Sequence, residues 1–187
     1  MGVVHDMAAQ ERQVTSSPPA GSRRGPPTDA GWLDQRQQGA WRAVQVMQAR
    51  LSAALAGQLA ADSDLSLADY AVLVGLTDKP GSAARVHDLA RHLGWERSRV
   101  SHHVARMEAR ALVSKERCAE DRRGSFVVVT ERGRRAIEAA APGHVAAVRR
   151  FFIDALTGEQ LDALADAAAR VVEAIDRVEA MQADGAR

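Results

Sequence analysis

The chain has a single cysteine in 187 residues, and one thiol cannot cross-link its own chain, so a disulfide scaffold is excluded and a reducing compartment is expected. It has no uninterrupted apolar run of about 18 residues, the length a membrane-spanning helix needs. Its first residues, MGVVHDMAAQERQ, lack the basic and apolar stretches of an export signal. A cytoplasmic protein with no membrane partner is therefore expected. No nucleophile, base and orienting residue stand at a recognisable spacing, and no glycine-rich loop could cradle a phosphate, so neither an enzyme nor a bound cofactor is expected. A metal site is not expected either. His102 and His103 are helix neighbours pointing about 100° apart, and His87 and His92 have no cysteine or clustered carboxylate beside them. No internal repeat of 20 to 50 residues is visible.

A large net charge is also missing: the total is +1, which alone predicts no partner. The distribution says more. From Arg85 to Gly124 there are ten Arg and Lys against six Asp and Glu, with four of the six histidines, whereas from Asp154 to Asp184 eight acids face two arginines. A basic middle and an acidic C-terminal helix suit a protein that docks one face on nucleic acid.

The length fits one domain of ordinary size. Residues 1–31 hold four of the six prolines and few large apolar side chains, so a disordered arm is expected there. Residues 32–64 read as an amphipathic helix from about Trp32 to Ala60, its stripe running Ala40, Val44, Met47, Leu51, Leu55, Leu59. Ser66 opens a mostly apolar helix over LADYAVLVGLTD, ended by Lys79, Pro80 and Gly81. HDLARHLG is a short helix closed by Gly94, and WERSRVSHHVARMEARA a longer one with Val100, Val104, Met107 and Ala111 on one face. LVSKERC and FVVVT then pair as a hairpin around the charged loop CAEDRRGS. Thr130 caps a helix that Pro142 and Gly143 interrupt or kink before HVAAVRRFFIDAL resumes, and the capping box TGEQ opens a last helix. That helix carries Leu161, Leu164, Ala168, Val171, Ile175 and Val178 at coiled-coil spacing, which points to a contact with a second subunit.

Helix, glycine turn, helix and a hairpin with a basic tip is the order of elements in a winged helix-turn-helix DNA-binding domain, assigned here to residues 65–130. At about 100° per residue, with Val100 inward, Ser98, His102, Ala105 and Ala109 point away, flanked by Ser101 on one side and Arg99 and Arg106 on the other. Small residues let a helix sink into a major groove about 12 Å wide, while Ser, His and Arg can bond base edges. The expected DNA contacts are Arg97, Ser98, Arg99, Ser101, His102, His103 and Arg106, with Arg122 and Arg123 on the hairpin tip. Cys118 stands among opposing charges and is expected to be an inert loop or strand-end thiol.

From Trp32 to Met181 the sequence resembles the MarR family of bacterial transcription regulators. The likeness rests on LSLADYAVLVGL, on LARHLGWERSRVSHHVARMEARALV, and on EDRRGSFVVVTERGRRAI, where Asp121, Arg122 and Arg123 precede Val129, Thr130 and Gly133. It implies a mainly α fold with a small β-hairpin wing and dimerisation helices at both ends, residues 131–187 supplying the C-terminal ones. It also implies a homodimer on a pseudo-palindromic double-stranded DNA operator, usually a repressor released by a small aromatic or anionic ligand. Trp41 and Tyr70, with Arg42 nearby, are this sequence's candidates for that ligand's pocket, since aromatic walls and one cation suit a phenolic or carboxylate effector. Arg123 would enter a minor groove, whose narrow A/T-rich stretches attract arginine, and Asp121 would orient an arginine. The rival expectation is a ligand-binding or protein-interaction dimer that has kept the scaffold without acting at DNA.

Overall fold

A computed structural model describes residues 31–117 and 125–185. The chain divides into two compact units, residues 1–42 and 43–187. In the first unit the expected arm lies outside the described residues, apart from Gly31. Helix α1 (Gln35–Asp62) starts behind a reciprocal cap: the Gln37 amide donates to Asp34 Oδ1 at 2.8 Å, and the Asp34 amide donates to Gln37 Oε1 at 2.9 Å. That cap fixes where the helix begins, three residues beyond the expected onset at Trp32.

The second unit contains α1 from Ala43 onward and the rest of the fold. Ser66 opens helix α2 (Leu67–Thr77), whose apolar composition is explained by its position, with Val72, Leu73 and Leu76 fully buried. A single 3-10 turn (Pro80–Ser82) leads into strand β1 (Ala83–Arg85), then helix α3 (Val86–Leu93) and helix α4 (Arg97–Ala109). Strands β2 (Val113–Arg117) and β3 (Ser125–Val129) follow, then helix α5 (Glu131–Phe151), a 3-10 turn (Ile153–Ala155) and helix α6 (Gly158–Gly185). The fold is mainly helical, as expected.

The hairpin is one edge of a larger sheet. β3 pairs antiparallel with β2 on one side, with Val113 opposite Val129 and Lys115 opposite Val127, and with β1 on the other, with Ala84 opposite Val127. The β-branched run is thus the central strand, burying Val127 and Val129. The third strand was not expected, because AAR carries no strand signature of its own.

Pro142 does not interrupt helix α5, which runs on through it. Proline removes one backbone donor and leaves the carbonyl four residues earlier unpaired. Here Pro142 and Glu138 are both exposed, so solvent can replace the missing bond. The helix ends at Phe151, short of the expected continuation through Leu156. The TGEQ box is formed, with the Thr157 amide on Gln160 Oε1 at 2.9 Å and the Gln160 amide on Thr157 Oγ1 at 3.3 Å.

Sheet and helices are joined at one tight point. Thr130 Oγ1 donates to the Ala111 carbonyl at 2.7 Å and accepts from the Gly133 amide at 3.0 Å, while the Thr130 amide donates to the Leu112 carbonyl at 3.2 Å. Ala111 turns the chain from α4 toward β2 with a φ of 56°, an uncommon conformation for a residue with a Cβ. At Gly133 a Cβ would lie 2.0 Å from the Leu112 carbonyl oxygen, so only glycine lets α5 start this close to the α4–β2 junction. Gly133→Ala is expected to destabilise the fold by about 3 kcal/mol, the upper range for overpacking a tight site. Urea unfolding would measure it, and a native midpoint would contradict the close approach.

Candidate nucleic-acid interface

The turn between α3 and α4 depends on Gly94, which takes the left-handed conformation at φ 62°, ψ 31°. The Trp95 amide then donates back to the Ala90 carbonyl at 2.9 Å, reversing the chain. The side chains of α3 lie directly on a second glycine: a Cβ on Gly75 would meet His92 Cδ2 at 2.9 Å and Leu89 Cδ1 at 3.3 Å. Behind α4, Val100, Val104 and Met107 are fully buried.

With that side fixed, Ser98, His102, Ala105 and Ala109 are all exposed, as are Arg97, Arg99, Ser101 and Arg106 on the flanks. The helical arithmetic therefore places this set on one accessible face. Two of its cations have defined supports. The Arg99 guanidinium lies 4.2 Å above the Trp95 ring, and Arg106 Nη2 donates to His103 Nδ1 at 2.8 Å. Ser101 Oγ donates to the Arg97 carbonyl at 2.9 Å, which leaves its lone pairs as its outward chemistry. Glu108 is engaged by Lys115 at 3.1 Å.

His103 is a correction. It was expected among the DNA contacts, yet it is only 6% exposed and turned into the protein. The physical reason is its spacing, three residues after Val100 and four before Met107, which puts it on the core side. Its Nε2 lies 2.9 Å from Asp69 Oδ1, within ion-pair reach but without the alignment of a regular hydrogen bond. The Trp95 ring meets His103 edge-on, with centroids 5.7 Å apart. Burial lowers the proton affinity of His103; the Asp69 charge opposes that, and Arg106 and Arg99 reinforce it.

Asp69 is the functional neighbour that sequence reasoning missed. It is 2% exposed and serves as the third helical residue of the α2 capping box. Its Oδ2 accepts from the Ser66 amide at 3.0 Å and from Arg110 Nη1 at 2.7 Å. Arg110 also donates through Nη2 to the Asp64 carbonyl, so one guanidinium spans α4's end and the loop before α2. Burial works to raise the Asp69 pKa, but the Ser66 amide, Arg110 and the Ser66 hydroxyl outweigh it and the net shift is downward. Ser-x-x-Asp before an apolar run was the available signal for the cap, but not for the pairing with Arg110, 41 residues away.

The expected wing contacts Asp121, Arg122 and Arg123, together with Cys118, lie outside the described residues. Beside α3, Lys79, Arg85, Asp88, Arg91, His92 and Phe126 line a cleft of about 500 Å³, in which Arg91 pairs with Asp88 at 3.2 Å and the Arg85 guanidinium lies 5.4 Å from the Phe126 ring. That mainly basic cleft was not anticipated either. Of the expected effector residues, Trp41 is 56% exposed and Arg42 donates to Gln38 Oε1 at 3.0 Å, both in the first unit. Tyr70, in the second, packs on His144 with ring centroids 4.2 Å apart, and burial raises the Tyr70 pKa and lowers that of His144. Gln58 Oε1 and His144 Nδ1 are buried without a hydrogen-bond partner among the described residues. Among those residues no group of three or more His, Cys, Asp or Glu could hold a metal ion, and no helix is long and apolar enough to cross a membrane.

The sequence model of the MarR family matches residues 63–124. The structure of AbsC, a MarR family transcriptional regulator from Streptomyces coelicolor, is similar with a TM-score of 0.73 and 39% identity, over 78% of this chain and 97% of that one. Sco3205, a MarR family transcriptional regulator from the same organism solved in complex with DNA, gives 0.74 and 36% identity over 77% of this chain and 94% of its own. PcaV, a transcriptional regulator from Streptomyces coelicolor solved with its natural ligand, gives 0.61 and 22% identity over 77% and 98%, a likeness of fold alone. A comparison with curated proteins finds no match.

Removing the buried carboxylate strands its partners, so Asp69→Ala is expected to cost about 3 kcal/mol in denaturant unfolding. Stability should also respond to acid. His103 and His144 bind protons less readily folded than unfolded, so below about 6.5 the unfolded chain takes up protons first and stability, complete above that pH, declines. Asp69, also lowered, adds a further loss as pH falls below its ordinary 3.8. A urea midpoint lower at pH 5.5 than at pH 7.5 is the expected result, and an unchanged one would contradict it.

Proposed function

The chain belongs to the MarR family of DNA-binding transcriptional regulators, and from that premise we propose that it is a homodimeric repressor, released from its operator by a small aromatic or anionic ligand. The observation that supports the DNA-facing part most directly is the outward face of α4: small residues at Ser98, Ala105 and Ala109, hydrogen-bonding groups at Ser101 and His102, and cations at Arg97, Arg99 and Arg106, all exposed. Such a face can approach base edges closely while its arginines reach guanine or phosphate. Lys79, Arg91 and His92 in the cleft beside α3 would add backbone contacts, since the first helix of this unit crosses the phosphates. Arg122 and Arg123 would extend the contact into the minor groove, with Asp121 orienting an arginine.

Exposed apolar side chains support the dimer. Val171, Ile175, Val178 and Met181 recur along α6, which buries no residue of its own, and Val44 and Met47 are exposed on α1. A contiguous apolar stripe of that length on a soluble chain calls for a partner, and spacing of three and four residues fits a helical one. For the effector, Tyr70 and His144 offer an aromatic wall, and Gln58 Oε1 and His144 Nδ1 offer polar atoms with no partner among the described residues. Trp41 and Arg42 are proposed as further effector contacts from residue chemistry alone.

Retardation of fragments from the chain's own upstream region tests the reading as a whole. Arg123→Ala is expected to weaken operator binding at least about tenfold in a salt-controlled titration, with the dimer intact by sedimentation. Unchanged affinity would remove the wing contact. Replacing His102 should alter base preference more than the salt slope, because a base contact carries sequence information that a phosphate contact does not. An unaltered preference across randomised sites would take His102 off the readout face.

A further inference from the structure

Arg106 stands on the exposed side of α4, yet its guanidinium is anchored on a buried atom, the Nδ1 of His103. An arginine can only donate, so at 2.8 Å His103 Nδ1 must be the acceptor and carry no proton. The ring's single proton then belongs on Nε2, the nitrogen that faces Asp69 Oδ1 at 2.9 Å. Asp69 is itself fixed by the Ser66 amide and Arg110. The same histidine ring abuts Trp95 edge-on, and Trp95 is the platform under Arg99. Two cations of the outer face thus share one buried support, which runs back through Asp69 to the start of α2.

We infer that His103 is a positioning residue for sequence readout: its unprotonated Nδ1 holds the Arg106 guanidinium in one place on the groove-facing side of α4. The inference rests on the reading that α4 enters the DNA, and it assigns to a residue that touches no base the job of selecting the rotamer of one that does. A free arginine has many rotamers to lose on binding, and each order of magnitude of base discrimination needs the guanidinium aligned with one base edge. Tying Nη2 to a fixed acceptor removes much of that freedom beforehand and leaves the rest of the guanidinium's donors for DNA. A second proton on the ring would sit on Nδ1, against the Arg106 donor, and add a positive charge near Arg106 and Arg99, which Asp69 opposes.

The test uses full-length protein and the duplex that the native protein selects from a randomised library. Discrimination between that duplex and its single-base variants is measured for native protein, Arg106→Ala, His103→Leu and His103→Gln at constant salt. Glutamine offers one acceptor toward Arg106 and one donor toward Asp69, while leucine offers neither. At the base pair where Arg106→Ala loses discrimination, His103→Leu is expected to lose it by a similar factor, at least about tenfold. His103→Gln is expected to restore most of it. If Arg106→Ala loses discrimination and His103→Leu does not, the positioning role is overturned while the reading of α4 stands. If Arg106→Ala changes no discrimination, Arg106 is no base contact and the positioning role is overturned, while the reading of α4 fails only if native protein shows no sequence preference at all. Should His103→Leu not fold, ring nitrogen NMR of the native protein decides. His103 observed as the Nε2–H tautomer, with an Nδ1 signal that Arg106→Ala moves, supports the role, and an Nδ1–H tautomer overturns it.

Discussion

A carboxylate taken out of water has to be surrounded by donors, and Asp69 draws its donors from separate places in the chain. The Ser66 amide comes from the α2 cap, Arg110 from just past the end of α4, and His103 Nε2 faces it from α4's inner side. α2 is the most deeply buried helix of the second unit, and α4 is the helix that faces outward. Because the charge is satisfied only when both are in register, the carboxylate converts a general hydrophobic packing of α4 on the core into one rotational setting. Slide or roll α4 by a residue and Asp69 is stranded at several kcal/mol. Val100, Val104 and Met107, all fully buried, fix the same inward side through packing, and the carboxylate adds a directional constraint to it.

Glycines set the distances within which that register works. Gly75 leaves room for the His92 and Leu89 side chains of α3, Gly94 reverses the chain into α4, and Gly133 brings α5 against the Leu112 carbonyl. Between these approaches the apolar core, Leu59, Leu73, Leu76, Leu89 and their neighbours, fills the space that remains. The outer face of α4 is then a by-product of constraints applied from behind, which is why its side chains can be small and polar without weakening the helix's seat.

Much of this was legible in the sequence, and the reason is periodicity. Helical arithmetic from Val100 placed Ser98, His102, Ala105 and Ala109 outside, and Ser66, Thr130 and Thr157 announced helix starts through local hydrogen bonding that depends on nearest neighbours only. The same arithmetic, applied to His103, would have put it inside with Val100 and Met107; residue type prevailed over position there, because histidine beside a basic face suggests a contact. What could not be read were the pairings that bring distant segments together. Asp69 and Arg110 are 41 residues apart, and Ala83–Arg85 becomes a strand only because β3 offers it an edge. The unbroken helix through Pro142 is a tertiary outcome as well, since whether a missing backbone donor breaks a helix depends on which side of it faces solvent.

Ala111 carries one more consequence. It occupies the left-handed region at φ 56° where glycine would sit without strain, and it lies at the joint between α4 and the sheet. A Cβ there costs the native chain about 1–2 kcal/mol but also narrows the conformations open to the joint. The same joint is tied by Thr130, whose hydroxyl and amide bond the Ala111 and Leu112 carbonyls, so the bend between α4 and the sheet is held from both sides. The chain gives up some equilibrium stability there in exchange for fewer ways to make the bend.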